Sequence, residues 1–163
     1  MSVLLVGLSP DVGRVLTRRL LEEGDQVRVI LRPGEDAASY EGAHVATGDA
    51  ADDDLVERAA QGARTIVLGD LDDDTRSAAL TGAARAGVDR AVLLGKAGGE
   101  VPAAMSWVAL VTPRPLFGLR RGPGPEELAE AVNAADDLAG EPRTVVDLGT
   151  DEGWRTLRLE RPR

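Results

Sequence analysis

The sequence has no cysteine, a single histidine (His44) and a single lysine (Lys96). Without thiols there is no disulfide framework, no thiol chemistry and no thiolate metal site, and one imidazole does not make a zinc site. Aromatic residues are only 2% of the chain, so the core must be built from Val, Leu, Ile and Ala. Positive charge, nearly all of it on arginine, is outnumbered, with 19 Lys and Arg against 28 Asp and Glu. The formal charge is −9 and the pI is near 4.6, and no basic stripe offsets phosphate repulsion, which argues against a nucleic-acid partner. No basic n-region precedes an apolar h-region at the start, and no apolar run reaches membrane-spanning length. The expectation is a cytoplasmic protein without a membrane partner. What is present is 163 residues, 43% of them apolar, enough for one compact domain over 1–163 with a sizeable core.

Through the first two thirds, short apolar runs alternate with helical patterns. VLLVG (3–7) reads as a buried strand, and 10–23 as a helix with Val12, Val15, Leu16 and Leu20 on one face, ended by Gly24. VRVIL (27–31), HVATGD (44–49), TIVLGD (65–70), RAVLLG (90–95) and WVALVTP (107–113) read as the next strands. Helices are expected over 55–62, 73–86 and 126–138. RTVVDLG (143–149) and WRTLRLE (154–160) read as two short strands, a terminal hairpin. Strands that are continuously apolar, each followed by a helix, indicate a parallel sheet buried on both faces.

The first strand-to-helix turn is Gly7-Leu8-Ser9-Pro10-Asp11-Val12-Gly13. In a dinucleotide-binding turn one glycine permits the bend, one lets the backbone approach the pyrophosphate and one allows close helix packing. Gly7 and Gly13 suit the first and last roles, whereas Pro10 fills the middle position with a ring and lacks an N–H. Ser9 as N-cap with Pro10 at the first helical position would instead make a good helix start. Asp11 follows in the first turn, where it complements the helix dipole but faces any incoming phosphate.

Residues 3–95 resemble the atypical short-chain dehydrogenase/reductases, especially the NmrA-like and NAD(P)H-binding group, whose first turn reads Gly-x-x-Gly-x-x-Gly. The similarity continues through VRVILR, where Arg32 matches a basic residue that meets the NADP 2′-phosphate. Gly48-Asp49 matches a Gly-Asp whose aspartate contacts the adenine amine, and WVALVTPRPLFG looks like the family's sixth strand and its Arg114-Pro115 exit. The resemblance implies a doubly wound parallel sheet in a Rossmann-like three-layer α/β sandwich, with strand order 3-2-1-4-5-6. It also implies a cofactor, NADP or NAD, held by Gly7, Ser9, Pro10, Asp11, Val12, Gly13, Arg32 and Asp49.

Reductases of this superfamily use a Tyr and a Lys one helical turn apart, the lysine lowering the tyrosine pKa. No Tyr-x-x-x-Lys exists here, and the only tyrosine is Tyr40, between the second and third strands. The gap at 96–106 is too short and too rich in Gly and Pro for the helix that carries the dyad in relatives. Lys96 lies near the family's serine position, where it could bind an anion or react as an amine, or stand as a loop lysine in water. His44 reads as structural. Two acidic runs, Asp49/Asp52/Asp53/Asp54 and Asp70/Asp72/Asp73/Asp74, fall at strand exits. They could hold a hard cation or simply open the following helices; no metal site is expected.

The functional expectation is a dinucleotide-binding protein with a regulatory or weak oxidoreductase role. Two alternatives stand beside it. One is a cofactor-free module working through a protein partner or a homodimer, because loss of the covering helix could expose an apolar sheet face. The other is an enzyme that reuses the pocket for another small molecule, with Lys96 in it.

Overall fold

The computed structural model describes residues 2–95, 101–112, 122–139 and 143–163. Lys96 and the Arg114-Pro115 pair lie outside them. Seven strands form one parallel sheet: β1 (Ser2–Val6), β2 (Gln26–Leu31), β3 (His44–Thr47), β4 (Thr65–Leu68), β5 (Arg90–Leu94), β6 (Ser106–Val111) and β7 (Thr144–Asp147). Their order is β3-β2-β1-β4-β5-β6-β7, the expected doubly wound arrangement extended by one strand.

The sequence pattern explains the layering. Every residue of β1 and β4 is buried, as a central parallel strand with cover on both faces requires. Alternate side chains enter two separate cores. Val3, Leu5, Val67, Val92 and Val108 point toward α1 (Pro10–Glu22) and α4 (Pro125–Leu138). Leu4, Val6, Ile66, Leu68 and Leu93 point toward α2 (Asp53–Ala60) and α3 (Asp73–Arg85). The α1–α4 pair is tied at its solvent side by Glu126, which accepts from Arg18 at 2.9 Å and Arg19 at 3.3 Å. Beneath it, Asp136 of α4 accepts from Thr65 at 2.5 Å and pairs with Arg64 at 2.7 Å, pinning the helix to the start of β4.

Two expectations change at the C-terminus. RTVVDLG supplies β7, which pairs with β6 in parallel and is no hairpin arm. WRTLRLE is no strand: Asp151–Thr156 is a helix, α5. Local capping decides this. The Thr150 hydroxyl accepts from the Gly153 N–H at 3.1 Å, Asp151 and Glu152 occupy the first turn, and the Trp154 indole donates to the Leu148 carbonyl at 2.9 Å. The helix closes with Arg158 in the left-handed region (φ 58) and the Leu159 N–H returning to Trp154 O at 3.0 Å. Between β5 and β6 the described residues 101–105 form no helix. Among the described residues, Val145 on β7 is the one large apolar side chain left exposed, so no broad apolar face is open on them.

Candidate functional site

The strand order reverses between β1 and β4: the chain leaves β1 for α1 on one face and leaves β4 for α3 on the other. Open α/β sheets bind ligands in the crevice outside such a switch point. Here the crevice holds two cavities that meet at Gly7, Leu8, Asp70, Leu71 and Asp72. The first, about 590 Å³, lies over the ends of β1, β2 and β3, and the second, about 1040 Å³, over β4 to β7.

The floor between them is set by sterics. Gly7 takes φ +71, which a side chain rarely adopts, and its open face is filled by Leu71, packed directly over the turn. At Gly69 a methyl group would overlap the Gly7 carbonyl, so the exit of β4 must be glycine for the two turns to abut. Gly13 is bare for a different reason than helix-to-strand packing. The Tyr40 ring packs against it, and a Cβ there would sit 2.8 Å from the Tyr40 hydroxyl.

The turn itself departs from expectation in one respect. Ser9 is the N-cap residue of α1, with Pro10 at the first helical position, but its hydroxyl makes no capping bond. The intrahelical ladder begins with the Gly13 N–H donating to Ser9 O at 2.8 Å. The Asp11 and Val12 N–H groups therefore have no acceptor within the helix. Pro10 removes a donor from a position that is orphaned in any helix, and two others remain.

Of the residues singled out by sequence, Gly7, Gly13, Arg32 and Asp49 line the first cavity, while Gly7, Ser9 and Val12 line the second. Pro10 and Asp11 are exposed and line neither, although they shape the helix start between them. The Asp49 carboxylate accepts from the Ala51 N–H at 2.9 Å and so shapes the exit of β3. The acidic runs act as helix openers. Asp52 accepts from the Asp54 and Leu55 N–H groups at the start of α2. Asp53 and Asp54 pair with Arg85 of α3 at 3.1 and 3.5 Å. Asp72 accepts from the Thr75 N–H and hydroxyl at 2.8 and 2.9 Å, and these bonds hold its carboxyl below the usual aspartate range. Asp52, Asp53 and Asp54 lie close enough to share a cation, but each is already engaged.

Two residues that sequence reasoning left out of the candidate site line its cavities. Tyr40, 5% exposed, lines the first cavity beside Glu35. Burial pushes its hydroxyl pKa up, Glu35 adds to the rise, and the Arg14 guanidinium opposes it. Arg76, 3% exposed, lines the second cavity and donates to the Leu94 carbonyl at 3.1 Å. It is the only cationic side chain on that wall among the described residues, opposite Asp70, Asp72, Asp73 and Asp147. Tyr40 carried one sequence signal, as the sole tyrosine in a chain poor in aromatics.

The family profile for NAD(P)H-binding domains matches residues 9–138. The chain belongs to the NAD(P)H-binding family. No curated protein matches it. Members of the same fold include ChuY, described as an anaerobillin reductase from Escherichia coli, at TM-score 0.65 and 17% identity over 90% of this chain and 96% of that one. A wide-type short-chain dehydrogenase/reductase from Veillonella parvula, solved with NADP, aligns at TM-score 0.56 and 13% identity over 68% of each chain. At such identities the likeness establishes an atypical Rossmann fold and leaves the chemistry to be argued from the site. Among the described residues no helix is long and apolar enough to cross a membrane.

Proposed function

We propose that the chain binds a nicotinamide dinucleotide across the two cavities and serves as a reductase-like or regulatory NAD(P)(H) protein. The observation that carries this reading is the meeting of the cavities over the β1–α1 turn, where the unclaimed Asp11 and Val12 N–H groups lie. That arrangement suits a ligand with two lobes joined by an anionic bridge. In it the adenosine half occupies the first cavity, with Asp49 near the adenine and Arg32 near the ribose. The pyrophosphate crosses over Gly7 and the start of α1. The nicotinamide half enters the second cavity, walled by Ser9, Thr112, Asp147 and Thr150.

When bound, the cofactor supplies the hydride chemistry, and the chain's part is to bind and orient. Among the described residues no tyrosine, lysine or histidine lines the second cavity, and the proton-exchanging groups there are carboxyls and hydroxyls. Leu8, Val12, Leu71, Leu94 and Leu128 give that cavity apolar walls that exclude water around the reacting ring.

The test is a titration with NADPH and NADH followed by nicotinamide fluorescence. Saturable micromolar binding, weakened about tenfold or more in Arg32→Ala for the phosphorylated cofactor, is the expected result. No saturation at millimolar cofactor would overturn the reading.

A further inference from the structure

Tyr40 is nine-tenths buried and lines the first cavity, and nothing hydrogen-bonds its hydroxyl among the described residues. The hydroxyl itself is not sealed in the core: it keeps its exposure at the cavity wall, where a ligand atom can supply the partner that the chain does not. The ring is held by packing within the α1-side core, with its hydroxyl end against Gly13. That end sits between α1 and the segment that follows β2, and the cavity wall there also contains Arg32 and Glu35. In the pose described above, the adenosine ribose lies in this gap, and its C2′ oxygen is the one directed at the end of β2.

We propose that the Tyr40 hydroxyl is the residue that reads the oxygen on C2′ of the adenosine ribose. The inference rests on the dinucleotide reading and adds a specificity residue to it. The shared chemistry is a C2′ oxygen, carried as a hydroxyl by NAD(H) and as a phosphate by NADP(H). Tyr40 donates to that oxygen, and its raised pKa keeps the proton in place well above neutral pH. Arg32 and Arg14 favour the phosphate, and Glu35 favours the hydroxyl.

Tyr40→Phe keeps the ring that packs on Gly13 and removes only the hydroxyl, so the fold is retained. NADH, NADPH and 2′-deoxy-NADH are titrated against the wild-type protein and this variant. The expected result is a loss of about five- to tenfold for one natural cofactor, with 2′-deoxy-NADH bound equally by both proteins. Loss confined to NADPH assigns the contact to the phosphate, and loss confined to NADH assigns it to the hydroxyl. Equal weakening of all three ligands, or of none, would overturn the proposal while leaving the dinucleotide site intact. Wild-type protein that binds none of the three overturns the dinucleotide reading itself.

Discussion

Gly69 and Gly87 separate two reasons for a glycine. At Gly87 the backbone is left-handed (φ +89) with open space around it, so Gly87→Ala should cost only the conformational strain, about 1 kcal/mol. At Gly69 the methyl group would meet the Gly7 carbonyl, a backbone atom that cannot rotate away. Gly69→Ala should therefore cost about 3 kcal/mol or more, read as a shift of the denaturant midpoint, and should abolish cofactor binding because the β1–α1 turn is displaced with it. Asp11 belongs to the same scale. It is exposed in the first turn of α1, beside the N–H groups assigned to the pyrophosphate. Asp11→Asn should tighten NADH and NADPH binding alike by about two- to fivefold in low salt, an effect that fades with added salt. An unchanged affinity at low salt would place the pyrophosphate elsewhere.

The helices differ in how their first turns are satisfied, and this sets predictions at the level of elements. In α2, α3 and α5 a side chain caps the start, whereas α1 and α4 begin without one. Thr150→Ala should cost about 1 kcal/mol, seen as a lowered melting temperature. Asp72 is the pH-sensitive cap. Its carboxyl titrates lower in the folded chain than in the unfolded one, so its contribution is fully present above the unfolded value of about 3.9. It is lost as pH falls from there through the folded value. The difference in melting temperature between wild type and Asp72→Ala should thus be constant near neutrality and shrink on acidification. These caps also mark what was legible in the sequence. Aspartates before a helical pattern act locally, and so do buried runs such as Ile66–Leu68, which is why strands and helix starts could be read to within about two residues, whereas the strand order followed from the family resemblance. WRTLRLE misled because Trp154, Leu157 and Leu159 fit an alternating pattern loosely, while burial falls on Trp154 and Leu157, spaced for a helix. Tyr40 was opaque for another reason: its partner is Gly13, and only the folded sheet brings the two together.

At the scale of the whole molecule, a charge of −9 opposes the approach of any dinucleotide. The arginines near the first cavity act within about a Debye length, whereas the surrounding acidic surface acts during the approach. The association rate of NADH should consequently rise by at least about twofold between 10 and 150 mM salt, measured by stopped-flow fluorescence. A rate that falls with salt would mean that the local arginines govern the approach as well. Bound cofactor should also raise the melting temperature in proportion to the logarithm of its concentration.

Among the described residues the two cavities touch along Gly7, Leu8 and Asp70–Asp72, with Leu71 as the ridge between them. To such a surface a dinucleotide is a bivalent ligand. Each half is a weak binder alone, and the pyrophosphate tether presents the second half at a high effective concentration once the first has docked. Nucleoside monophosphates carrying adenine or nicotinamide should accordingly bind side by side without competing. Each should displace the intact dinucleotide, and each should bind far more weakly than the whole.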